Sequence, residues 1–219
     1  NPHIQAISSH HLCDTSKIKS INIIPLYLIR HPLERALSVY NFERKQKSLT
    51  PGAIAAKKYN FKDYVKWRME PNTNRTIRNY QTSYLANEIT KQSQSENTSQ
   101  SLLKALKKVE NGFVGIVDSF DLSMSYFEKL LQSSGVTIDL AYRPQNVSTR
   151  KDFFKLNAKV SKIEFIADKL GSVLDTLISE NSYDLALYRA AFQNLDNKSK
   201  TLNLKGEVCS FKERCAKLG

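Results

Sequence analysis

The sequence predicts an α/β protein built on a parallel sheet flanked by helices. Two apolar runs, Ile21–Ile29 and Phe113–Val117, each break off into polar residues and pass directly into a helix-period pattern. Strand followed by helix, repeated along a chain, is the pattern of a parallel sheet. The length of 219 residues, with an ordinary 25% of charged side chains, is enough to bury a proper core. It suits one domain over residues 1–195 with a basic C-terminal appendage over residues 196–219.

The first run is almost continuously apolar, β-branched at Ile21, Ile23, Ile24 and Ile29, and too short to span a bilayer. It ends at Arg30-His31-Pro32. Proline fits the first turn of a helix, and Glu34 suits that helix's positive end. Leu33, Ala36, Leu37 and Tyr40 then form one buried stripe, with Arg35 and Ser38 three apart on the other side. Arg30 therefore sits at the carboxyl end of a strand, the edge at which open α/β sheets bind ligands. A guanidinium, a serine hydroxyl and a helix N-terminus gathered there suit a phosphate monoester.

Further along, residues 42–58 lead through a Pro51-Gly52 turn to a helical Phe61–Met69 with Phe61, Tyr64, Val65 and Arg68 on one face. Tyr64 and Trp67 belong either to the core or to an aromatic platform for a sugar. Residues 72–78 are polar and loop-like, and residues 89–101 form a Gln/Ser/Asn-rich exposed loop. Leu102–Val109 is a short amphipathic helix stopped by Asn111-Gly112. After Phe113–Val117, a helix runs over Leu122–Leu131 with Asp121 as its cap. A connection over residues 136–151, a long helical pattern over 157–180 and a helix over Tyr183–Phe192 complete the domain.

The pattern R-x-P-x-x-R-x-x-S-x-Y, read at Arg30 to Tyr40 after an apolar strand, resembles the 3′-phosphate-binding segment of sulfotransferases that use 3′-phosphoadenosine 5′-phosphosulfate (PAPS). The likeness is strongest to the carbohydrate, heparan-sulfate-2-O-like branch. It extends to N-Y-Q-T-S-Y-L-A-N at residues 79–87, to V-G-I-V-D-S-F-D-L-S-M from Val114, to the N-x-S loop at Asn146 and to Y-D-L-A-L-Y from Tyr183. The resemblance implies a P-loop-NTPase-like sheet of sulfotransferase type and transfer of a sulfuryl group from PAPS to a carbohydrate hydroxyl. It further implies that Arg30 and Ser38 hold the 3′-phosphate, Asn146 and Ser148 close over the nucleotide, Gln81 and Tyr84 line the acceptor cleft, and His10, with His11 in reserve, is the base. Ser83 and Asn87 depart from the family's arginine and glycine. No 5′-phosphosulfate loop precedes residue 21, so the first β–turn–α unit is expected to be missing or upstream of Asn1. The alternative is a non-catalytic or truncated module that binds the nucleotide product or an anionic glycan.

A net charge of +12 and a pI near 9.5 call for an anionic partner. The basic residues are dispersed, and no helix-turn-helix, zinc or RNP signature supports nucleic acid. The expected partner is a glycan acceptor, anionic or neutral. No metal site is expected from four histidines and three cysteines spaced as these are. Cys209 and Cys215 are spaced to bridge in an oxidising compartment or to stay free in a reducing one. No membrane-spanning or signal segment is visible. The expected location is the cytoplasm of a bacterium, or alternatively the Golgi lumen as part of an anchored enzyme.

Overall fold

The computed structural model describes residues 23–88, 99–143 and 161–218. Its described residues are mostly helical around a pair of parallel strands, β1 (Leu26–Ile29) and β2 (Phe113–Ile116), in register Leu26 to Phe113 and Ile29 to Ile116. Both predicted strands thus exist and lie parallel, each shorter than its apolar run. Helix α1 (Pro32–Lys45) follows β1 after two residues. Its N-cap is His31, whose Nδ1 accepts the Leu33 N–H at 3.3 Å, with Pro32 just inside.

Helices α2 (Pro51–Lys58) and α3 (Phe61–Arg68) come next, each started by a side-chain cap. Thr50 accepts from Ala53 N, and Asn60 accepts from Asp63 N. Then come the short α4 (Tyr80–Leu85), α5 (Ser99–Asn111) and, beyond β2 and a 3₁₀ turn at Val117–Ser119, α6 (Phe120–Ser133). Asp121 does not cap α6, which begins one residue earlier. Its carboxylate instead accepts the Tyr142 hydroxyl at 3.0 Å.

The long helical pattern of residues 157–180 is broken where it is described. It runs as α7 (Lys162–Leu170), a 3₁₀ turn at Gly171–Val173 and α8 (Leu174–Ser179). Gly171 adopts φ +52°, which a side chain resists, so the turn falls there. Helices α9 (Ser182–Thr201) and α10 (Lys205–Leu218) close the chain.

Two apolar clusters flank β1 and α1. In one, Ile29, Val114, Ile116, Phe127, Leu187 and Leu195 join the strands to α5, α6 and α9. In the other, Leu33, Ala36, Tyr40, Phe61, Tyr64 and Leu170 pack α1 against α2, α3 and α7. Tyr64 is fully buried, so it belongs to this core and offers no sugar platform. The residues read as a basic appendage belong to the fold: Leu204 and Phe211 are buried in the first cluster, and Arg214 pairs with Glu128 of α6 at 2.6 Å. Isolated apolar residues in a basic run mark the buried side of a helix whose charges face water.

Two features of the sheet and helices were not visible in composition. Helix α6 rides close on β2 at Gly115, where a β-carbon would sit 2.6 Å from Ser123 Cβ. The Ser123 hydroxyl at that crossing accepts the Ile116 N–H at 2.8 Å. Leu28, the register partner of Gly115, lies beyond that helix and stays 42% exposed. Cys209 and Cys215 share α10, and six residues at roughly 1.5 Å each separate them beyond a disulfide's reach. Both thiols are free.

Candidate functional site at the carboxyl edge of the strands

Parallel strands end on the same side, so the residues after β1 and β2 meet. Arg30 follows Ile29, and its main chain is held on both sides by one carboxamide. Gln81 Oε1 accepts the Arg30 N–H at 2.8 Å, and Gln81 Nε2 donates to the Arg30 carbonyl at 2.9 Å. Gln81 acts here as a neighbouring strand would, satisfying both backbone groups of a residue that has just left the sheet. The Arg30 guanidinium keeps Nε buried with no hydrogen-bond acceptor. Ser38 lies on α1, half-buried, one turn beyond Arg35. Arg35 donates to the Thr76 carbonyl and stacks over the Tyr80 ring at 4.1 Å. Tyr84, the second residue expected in an acceptor cleft, packs edge-on against Tyr27 and stacks with Tyr80. His10, His11, Asn146 and Ser148 lie outside the described residues.

Gln81 is itself fixed by a reciprocal cap between α4 and α9. Asp184, in the first turn of α9, is buried and accepts from Gln81 N at 3.1 Å and from Thr82 N and Oγ1 at 2.8 Å each. Asn79, just before α4, returns the favour with its side-chain oxygen, taking the N–H groups of Tyr183 and Asp184 at 3.0 Å. Asn79 adopts φ +45°, a region in which asparagine is among the few tolerated residues. The orphan donors of each helix are thereby met by a residue of the other.

A set of titratable groups unforeseen from sequence gathers beside Arg30. Asp118, just after β2, accepts the His31 N–H at 3.3 Å and the Tyr188 hydroxyl at 3.1 Å. The His31 and Tyr188 rings meet edge to face at 5.2 Å. Glu34 is buried on α1, hydrogen-bonded to the Asp118 carboxylate and ion-paired to Lys162 at 2.6 Å. Burial, reinforced by Asp118 and opposed by Lys162, pushes the Glu34 carboxyl up to about 7. Burial works against the Asp118 charge, yet the hydrogen bonds from Glu34, His31 N and Tyr188 hold that carboxyl below its ordinary value. Burial pushes the His31 imidazole down, against the pull of Asp118 and with the help of Arg189. The two carboxyls at this edge are thus pushed apart, Glu34 towards its neutral form and Asp118 towards its charged one.

The usable signal was topological: with both strands parallel, the acid after β2 had to fall beside the turn after β1. Among the described residues no group of three His, Cys, Asp or Glu side chains is placed to hold a metal ion. Nor is any helix among them long and apolar enough to cross a membrane.

The Glu34 carboxyl makes stability depend on pH. Its value in the fold lies above the ordinary 4.5, so the protonated form favours folding. That contribution is complete at low pH and is lost as pH rises through about 7. Asp118 shifts the opposite way and acts only at lower pH. Denaturant unfolding at about pH 5.5 and about pH 8 should show a loss on the order of 2 kcal/mol in the natural chain. Glu34→Gln should show little of it. An equal pH slope in both proteins contradicts a raised Glu34 carboxyl.

Among curated proteins the chain is similar to an uncharacterized protein of Archaeoglobus fulgidus, 32% identical over 133 residues. The match takes in 58% of this chain and 51% of that protein, so the chain spans about half the length of this relative. No family model and no solved structure matches the chain.

Proposed function

We propose that the chain is a PAPS-dependent sulfotransferase acting on a carbohydrate hydroxyl, with Arg30 and Ser38 gripping the nucleotide's 3′-phosphate. The observation that carries the reading is Arg30 itself. Its main chain is locked at a strand end by Gln81, while its buried Nε has no acceptor. A guanidinium on a fixed stretch of main chain, with an unspent buried donor beside a helix N-terminus, is suited to a phosphate oxyanion.

On this reading the acceptor hydroxyl oxygen attacks the sulfur, the bond from sulfur to the bridging oxygen breaks, and 3′-phosphoadenosine 5′-phosphate leaves with that electron pair. His10 or His11 takes the hydroxyl proton, and Asn146 and Ser148 approach the nucleotide. Gln81 contributes by positioning Arg30, and Tyr84 by supporting the wall beside it. Positioning and electrostatics dominate such a transfer. The compartment that goes with this reading is a bacterial cytoplasm, or the Golgi lumen for an anchored form.

Calorimetry with 3′-phosphoadenosine 5′-phosphate tests the proposal. The natural chain should bind, and Arg30→Ala should weaken binding about 10- to 100-fold through loss of charge-assisted hydrogen bonds. Its fold should survive, because the Gln81 clamp uses only Arg30 backbone atoms. Absence of binding in the natural chain, or equal affinity in Arg30→Ala, removes the nucleotide site. Binding of the product nucleotide without sulfate transfer from PAPS would favour the non-catalytic module.

A further inference from the structure

The connection between α3 and α4 carries more buried positive charge than the fold uses. Arg78 is only 7% exposed and donates Nη2 to the Thr73 carbonyl at 2.7 Å, but its Nε is buried with no acceptor. Arg75, one turn earlier and half-buried, has the same orphan Nε. The two charges act on each other: burial, Arg75 and Arg68 all disfavour the Arg78 cation, and Glu180 opposes them.

Glu180 adds a negative charge near Arg78 with no hydrogen bond or ion pair to it, and the remaining groups nearby are occupied. Arg68 is spent on Glu43, Tyr64 and Asn74, and the Asn74 oxygen also accepts the Thr76 hydroxyl. The Thr76 carbonyl takes Arg35. Two neighbouring guanidiniums, each with a buried donor unmet, cost the fold stability unless an anion completes them.

We infer that Arg75 and Arg78 form an oxyanion subsite in the α3–α4 connection, distinct from Arg30 at the strand end. Its ligand is a sulfate, phosphate or carboxylate group. Two sources carry that chemistry: a phosphate of the donor nucleotide, or an acidic substituent of a glycan acceptor. The choice between these sources rests on the sulfotransfer reading, whereas the subsite rests only on the arginines. Arg35 reaches from α1 to the carbonyl of Thr76, which lies between the two arginines in the chain.

The test titrates the full chain, at low ionic strength, with inorganic sulfate, 3′-phosphoadenosine 5′-phosphate and a sulfated heparin disaccharide. Sulfate should bind the natural chain, and Arg75→Gln and Arg78→Lys should each weaken it about tenfold. Arg30→Gln removes sulfate held at the strand end and should leave the Arg75-dependent binding in place. Arg75 makes no hydrogen bond that its replacement would break within the fold, so Arg75→Gln remains informative if Arg78→Lys unfolds. Diffuse attraction to a chain of net charge +12 barely changes when one charge is removed.

Weakened nucleotide binding in Arg75→Gln assigns the subsite to the donor, and weakened disaccharide binding assigns it to the acceptor. No sulfate binding in the natural chain overturns the inference. So does an affinity within about twofold in Arg75→Gln, or a loss confined to Arg30→Gln. If the nucleotide fails to bind while Arg75-dependent sulfate binding persists, the sulfotransfer reading falls and the subsite stands.

Discussion

Asp184→Ala is expected to destabilise the fold by about 3–5 kcal/mol, lowering the melting temperature by roughly 10 °C in a chain of this size. The carboxylate is buried and serves Gln81 N, Thr82 N and Thr82 Oγ1 at once. Alanine leaves three buried donors without their acceptor. Asp184→Asn keeps one acceptor but turns an amide towards the same donors, so it should retain only a minor part of the stability. The change also releases Gln81, whose carboxamide holds Arg30. If the chain binds nucleotide as proposed, that affinity should fall as well, at temperatures where circular dichroism shows the variant folded. A variant as stable as the natural chain would show that the reciprocal cap carries no energy.

Glu43→Ala should cost a comparable 3–5 kcal/mol by stranding a buried cation. Arg68 is 2% exposed, ion-paired to Glu43 through Nη2 and hydrogen-bonded through Nε to the Tyr64 hydroxyl at 2.8 Å. Tyr64 donates in turn to Glu43 Oε2 at 2.6 Å, which closes a three-membered network. Gly52 of α2 stands directly against it: a β-carbon there would lie 2.5 Å from both Glu43 carboxylate oxygens. Asn74 also accepts from Arg68, but it carries no charge to replace the lost carboxylate. Arg68→Met combined with Glu43→Leu should cost less than Glu43→Ala alone, because no charge remains unpaired. A double variant at least as destabilised as Glu43→Ala would contradict this, and chemical denaturation of the natural chain and the two variants decides it.

Local signals were readable where the chain is its own context. The change from β-branched residues to Arg30-His31-Pro32 marks a strand, a turn and a helix start, and β1 and α1 fall there. The alternation of two such units implied parallel pairing, which β1 and β2 adopt. Strand length was overread, since apolar character at Ile23 and Ile24 does not reveal whether a neighbour is there to pair with. Residues whose roles are set by partners far along the chain were the least legible. Glu34 read as a charge suited to the helix dipole, but its carboxyl meets Asp118 from after β2 and Lys162 from α7. Gln81 read as cleft lining because the spacing of N-Y-Q-T cannot show that its side chain faces the end of a strand 51 positions earlier. Phe211 sits in a run of charges and is wholly buried, since a single large apolar side chain suffices to seat a helix.

The mutual capping of α4 and α9 has a bearing on the order in which the protein is made. Six residues are too few to hold a helix unaided in water, and α4 borrows its first hydrogen bonds from a side chain more than a hundred positions downstream. Until the ribosome has added Asp184, that helix lacks its anchor, and the segment carrying Arg30 lacks the clamp that depends on it. The main chain at Arg30 takes up its clamped geometry only once Asp184 has been made and has docked.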